Sequence, residues 1–146
     1  MPEPQSYKNH ARFDSPFHFF LLPVLLVNLI FSIVYTLRHR PDHLHLGFWW
    51  TIMSIAFIVH AFKTRTYALK VQDRVIRLEE QLRFHALLPA DLLARSMVLT
   101  EAQYVALRFA SDTEVPALVQ RALDQNLSQQ QIKQAIVTWR ADNYRV

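Results

Sequence analysis

Between Phe17 and Leu37 the chain reads FHFFLLPVLLVNLIFSIVYTL, 21 residues without a formal charge. No other feature constrains the fold as strongly. As an α-helix rising 1.5 Å per residue the run is about 31 Å long, close to the hydrocarbon thickness of a bilayer, about 30 Å. Three readings compete: a transmembrane helix, a signal peptide and the core helix of a soluble protein. A soluble domain would have to surround the run, and 146 residues leave little chain for that. A signal peptide would end in a small-x-small cleavage site, whereas here the chain continues RHRPDHLH. The transmembrane helix is therefore the expectation. Pro23 falls in its first turns, where few backbone partners are lost. Asn28 falls near mid-depth, where an amide needs a partner on another helix.

A second apolar run, LGFWWTIMSIAFIVHAF, covers Leu46–Phe62. Its 17 residues are short for a span. Trp49 and Trp50 mark one end and Tyr67 lies past the other, as interfacial aromatics do, while Lys63 and Arg65 can snorkel. Only Arg38–His45 separate the runs, with Pro41 among them, so the two spans must be antiparallel neighbours. Lys8, Arg12, Lys63, Arg65, Lys70, Arg74 and Arg77 flank one side of this hairpin, against Arg38 and Arg40 in the loop. That bias places both termini in the cytoplasm and the loop outside. The expected division is an interfacial segment over residues 1–16, a transmembrane hairpin over 17–70 and a cytoplasmic helical domain over 71–146. The hairpin comprises spans at about 17–37 and 46–67 with an outer loop at 38–45.

Composition narrows the chemistry. One glycine, Gly47, leaves no phosphate-cradling loop. The lack of cysteine excludes disulfides, thiolate metal sites, iron–sulfur clusters and cysteine nucleophiles. The net charge of +4 comes with 12 basic and 9 acidic residues from Lys63 onward. The basic excess clusters where the chain leaves the apolar run, which points to anionic lipid headgroups rather than nucleic acid.

After Gly47 neither glycine nor proline interrupts the chain up to Leu88, and one helix of about 40 residues is expected. Val71, Val75, Leu78 and Leu82 follow at spacings of 4, 3 and 4, the seam of a short coiled coil or of a helix packed on its own domain. Asp73–Arg77 and Glu79–Arg83 are i,i+4 pairs on other faces. Short helices follow. One starts after Pro89 and runs to about Met97. Thr100 with Gln103, Ser111 with Glu114 and Ser128 with Gln131 each read as a capping box. Apolar stripes follow the boxes: Ala102, Val105, Ala106, Phe109; Val115, Leu118, Val119, Ala122, Leu123; and Ile132, Ala135, Ile136, Trp139. They predict a bundle of about 60 residues, a marginal core alone.

Four stretches in this order, YKNHARF…PFHFFLLPVLLVN, ALKVQDRVIRLEEQLR, ALRFASDTEVPALV and IKQAIVTWRADNYRV, resemble an uncharacterised family of small bacterial two-span membrane proteins. The resemblance covers nearly the whole chain. It implies a bacterial inner-membrane protein with a helical C-terminal part, and no activity or site residue.

Candidate sites are weighed on chemistry. His39, Asp42, His43 and His45 crowd the loop, a set able to hold Zn²⁺ or Cu²⁺, though a solvated polar loop explains it equally. His18 and His60 lie toward the same end of the antiparallel spans and could ligate a b-type haem or relay protons. Asn28, Ser32 and Ser54 lie at comparable depth and read as a helix–helix hydrogen-bonding set. Asp73, Glu79 and Glu80 lack the histidine companions of a di-iron bundle and read as surface ion pairs. SQQQIKQAIVTWR has a faint helix-turn-helix look, with Lys133 and Arg140 able to meet phosphate, but a packing helix explains it better. NHARF, with His10 and Phe13, suits the membrane interface. No catalytic residue and no cofactor is called. The expectation is an all-α accessory or scaffold protein of the bacterial inner membrane, either a homo-oligomer or a subunit of a larger complex. The alternative is a metal-, haem- or headgroup-binding module.

Overall fold

The computed structural model describes Tyr7, residues 14–39 and residues 41–141. The reading of His10 and Phe13, and the charges of Lys8, Arg12 and Arg40, lie outside the described residues. Among the described residues the chain is all-α, with one isolated β-bridge between Ala110 and Trp139. It forms two compact units, Phe13–Ala68 and Leu69–Val146 together with Met1–Arg12.

The first unit is a helical hairpin. A π-helical segment, Pro16–Leu21, runs without a break into α1, Leu22–Arg38. Pro23 has no N–H to return to the preceding turn, and the winding changes beside it. Asp14 closes the start: its carboxylate accepts from the Phe17 N–H at 3.2 Å and pairs with Arg65 on α2, Leu44–Leu87. The Arg65 guanidinium also lies 4.8 Å from the centre of the buried Phe17 ring, which meets Phe62 edge-on. At the other end Gly47 lies against Thr36. A Cβ on Gly47 would come within 2.9 Å of the Thr36 Cα, so only glycine permits this approach of the two backbones. Contacts Asp14–Arg65, Phe17–Phe62, Asn28–Ser54 and Thr36–Gly47 keep nearly constant sums of residue numbers, as an antiparallel pair requires. Ser32 and Ser54 are fully buried and return their hydroxyls to the Leu29 and Trp50 carbonyls. Outside this seam the hairpin carries large exposed apolar side chains, Phe19, Leu26, Ile30, Phe31, Phe48 and Phe57 among them.

The expected long helix is present: α2 runs 44 residues unbroken. In the second unit it supplies the base of a small bundle with α3 (Ala90–Ser96), α4 (Glu101–Leu107), α5 (Val115–Asp124) and α6 (Gln129–Ala135). The core joins Phe84 of α2 and Leu88 just past its end to Leu92, Leu99, Tyr104, Leu107, Phe109, Val115, Val119 and Ile132. Phe84 is fully buried and stacks on Tyr104, whose hydroxyl donates to the Ser96 carbonyl at 3.0 Å.

The capping boxes at Thr100/Gln103 and Ser128/Gln131 form as read, each side chain answering the other's backbone N–H. Ser111/Glu114 does not. The Ser111 hydroxyl meets Thr113, and the Glu114 carboxylate accepts instead from the Thr138 N–H at 3.1 Å. The cause is tertiary: residues 138–140 return alongside 109–111, with Ser111 N–H donating to the Thr138 carbonyl and Arg140 N–H to that of Phe109. For the same reason the expected helical stripe ending in Ile136 and Trp139 is cut short. α6 stops at Ala135, Ile136 is extended, and Trp139 reaches Phe109 from the paired segment. On α4 the buried face is Gln103, Tyr104, Ala106 and Leu107; Ala102 is exposed. α5 buries Val115, Leu118, Val119 and Ala122, as its stripe predicts. Two residues past its end, Asn126 adopts a left-handed φ of 48° and lets the Leu127 N–H return to the Ala122 carbonyl, the role glycine often fills.

Candidate functional site

Asn28 is fully engaged within the hairpin. Its amide donates to the Ser54 hydroxyl at 2.8 Å, and its carbonyl oxygen accepts from the Trp50 indole at 3.2 Å. Ser32 lies one turn further along α1, buried in the same seam. Of the set read from the sequence, Asn28 and Ser54 bond across the helices as a polar lock, together with Trp50, which the sequence marks only as an interfacial aromatic, while the Ser32 hydroxyl donates to the Leu29 carbonyl of its own helix. Beside it an apolar groove of about 450 Å³ is lined by Pro23, Val24, Val27, Asn28, Phe31 and Trp50. Asn28→Leu is expected to weaken the α1–α2 pairing by about 0.5–2 kcal/mol, because it removes the amide from both partners. Thermal unfolding of the detergent-solubilised chain would measure this, and an unchanged melting temperature would show the lock to be idle.

The histidines separate. The His18 ring engages the Asp14 carbonyl at 2.8 Å and packs edge-on against Phe17. His60 is exposed, and no ring contact or hydrogen bond joins it to His18 among the described residues. In the loop the His39 ring stacks on Tyr35 at 4.3 Å between centres, and His43 lies 6.3 Å from His39. Asp42 and His45 are exposed beside them. No group of three or more potential metal ligands converges among the described residues.

Two polar features of the second unit were not read from the sequence correctly. Glu80 is buried rather than a surface ion-pair residue, and Arg83 pairs with it at 3.0 Å instead of with Glu79. Arg83 also binds the Asp112 carboxylate and the Ala110 carbonyl, and Arg140 stands 3.9 Å from Glu80. Burial pushes the Glu80 carboxyl above its ordinary range, while Arg83 and then Arg140 oppose that rise. A signal existed: Ile76, Glu80, Phe84 and Leu88 follow at intervals of four, so Glu80 occupies a core stripe. Lys133 lies 5.6 Å from the Phe109 ring centre and α6 has only seven residues, which leaves little of the helix-turn-helix resemblance.

The four-residue stripe also decides what the bundle covers. The bundle packs on the face of α2 that carries Glu80 and Phe84, the stripe on which Ile76 is also buried, not on the Val71–Leu82 seam. Of the two readings for that seam, packing on its own domain is therefore overturned. Val71, Val75, Leu78 and Leu82 are 59, 46, 61 and 73% exposed. Helix geometry explains it, since Glu80 and Leu82 point about 200° apart around an axis that turns about 100° per residue.

Comparison with curated proteins and with solved structures yields no match. A family model does match, over residues 1–146, and by it the chain belongs to DUF6526, a family of unknown function.

Proposed function

We propose that this protein is a membrane-anchored scaffold or accessory subunit of the bacterial inner membrane. In this reading the hairpin inserts in the bilayer with both termini cytoplasmic, and the α2–α6 bundle works in the cytoplasm by association. One observation carries it: the hairpin is apolar on the outside and polar on the inside. Over the two apolar runs its exposed surface is mainly phenylalanine, leucine, isoleucine, valine and tryptophan, with His60 as a polar exception, while Asn28, Ser32, Thr36, Thr51 and Ser54 turn their polar atoms to each other or to helix carbonyls. Hydrocarbon demands that arrangement, because an unsatisfied polar group there costs several kcal/mol. Both helices, Pro16–Arg38 and Leu44–Leu87, are long and apolar enough to cross a membrane, and only a small share of each apolar stretch is buried by the protein itself. In water such a surface would aggregate.

Reporter fusions in the loop after Pro41 and after Val146 should report opposite sides of the membrane, with the C-terminus cytoplasmic. The chain should also stay in the membrane pellet after alkaline carbonate washing. Fusions reporting the same side, or release by carbonate, would end this reading.

A further inference from the structure

The open seam on α2 has a charge pattern beside it that specifies a partner. We infer that α2 pairs with α2 of a second copy of this chain as a parallel, in-register, two-stranded coil over Val71–Leu82, held by reciprocal Arg74–Glu79 bridges. The inference rests on the membrane reading above, which holds two copies in one plane and one direction.

With the seam residues as the core positions of a heptad repeat, Val71 and Leu78 occupy d, Val75 and Leu82 occupy a, and the spacing in sequence reaches back through Ala68 to Thr64. Valine at a with leucine at d, as at Val75 and Leu78, suits two parallel strands. The residues flanking this core are then Arg74 at g and Glu79 at the following e. In a parallel pair each g side chain meets the next e of the other helix, so Arg74 of one copy meets Glu79 of the other, twice per dimer. An antiparallel pair sets g against g and e against e, and Arg74 could not meet Glu79. Both residues are exposed, and neither has an ion-pair partner among the described residues. This contrasts with Arg83, Asp112, Arg95 and Asp124, all paired within the chain. The bundle occupies the c and f side through Phe84 and Glu80, and Ile76 at b is buried, so a second helix can seat on the exposed seam without displacing it. Two heptads are few for a soluble coil, but confinement to one membrane raises the effective concentration enough for a short contact to count.

The chain has no cysteine, so single cysteines report cleanly. In membranes holding the full chain, Leu78→Cys should form a disulfide-linked dimer on mild oxidation, and Lys70→Cys, exposed off the seam, should form little. Arg74→Glu or Glu79→Arg in the Leu78→Cys background should reduce crosslinking several-fold, and the two together should restore it. Restoration by the double swap is the decisive outcome, since a merely destabilised helix would not recover. Equal crosslinking of the Lys70→Cys and Leu78→Cys chains, no crosslinking of the Leu78→Cys chain, or no recovery in the double swap would each overturn the inference. If these occur while the protein remains carbonate-resistant, the dimer fails and the membrane reading stands; loss from the membrane fails both.

Discussion

Phe84→Ala is expected to cost the second unit about 3–5 kcal/mol, the range for truncating a fully buried aromatic. Phe84 is the residue through which α2 enters the core, stacked on Tyr104 in one cluster with Leu88, Leu92 and Leu107. The helices of this bundle other than α2 are seven to ten residues long and would not hold helical structure alone. Their stability is tertiary, and much of it is mediated by this ring. A small domain has about 5–15 kcal/mol in total, so the loss takes a large share of it. Hydrogen exchange of the full chain in detergent should show α3–α6 amides losing protection together. A decrease confined to the residues touching Phe84, worth less than about 1 kcal/mol, would mean that the bundle does not depend on its docking to α2.

Arg83→Met is expected to cost about 3 kcal/mol at neutral pH, within the range for breaking a buried pair by removing one partner. Its guanidinium serves the Glu80 carboxylate, the Asp112 carboxylate and the Ala110 carbonyl at once. Methionine keeps much of the apolar stem and leaves Glu80 with only the more distant Arg140. The deficit should depend on pH with a definite sign. The Glu80 carboxyl is already raised by burial, and removing Arg83 takes away the main force lowering it. A carboxyl whose folded value is raised contributes stability that is fully present below its unfolded value and lost as pH rises through the folded value. The variant should therefore approach the parent in acid and fall behind as pH rises from the ordinary glutamate range toward neutrality. Protection factors measured at several pH values would check this. A deficit independent of pH would place the cost in packing or in the Asp112 and Ala110 bonds, not in the Glu80 charge.

The capping boxes were legible because each is closed within four residues. Thr100 with Gln103 and Ser128 with Gln131 need no distant partner, and both form. Ser111 with Glu114 has the same local chemistry and fails, because the returning Thr138 N–H competes for the Glu114 carboxylate. The Asn28–Ser54 contact was legible for a different reason. Two long apolar helices joined by a short loop have few registers, and polar groups at matching depth have to find one another. Trp50 and the Asp14–Arg65 pair escaped notice because nothing in local sequence distinguishes an interfacial tryptophan or arginine from one that turns back toward its neighbour.

The sequence by itself determined the helical class, the two apolar helices, the unbroken length of α2 and the family. The first three depend on composition, periodicity and the absence of breakers, which are local or additive along the chain; the family rests on the resemblance of four stretches in order. Only the tertiary structure decided which face of α2 the bundle covers. Two stripes run along that helix, Ile76–Glu80–Phe84 and Val71–Val75–Leu78–Leu82, and by hydrophobicity the second is the more regular. The first wins because it carries Phe84 to Tyr104 and brings Arg83 to Asp112, contacts between residues far apart in the chain. A periodic pattern shows that a face can be buried. Which face is buried depends on the shape and polar partners of what packs there, and those exist only once the bundle has folded.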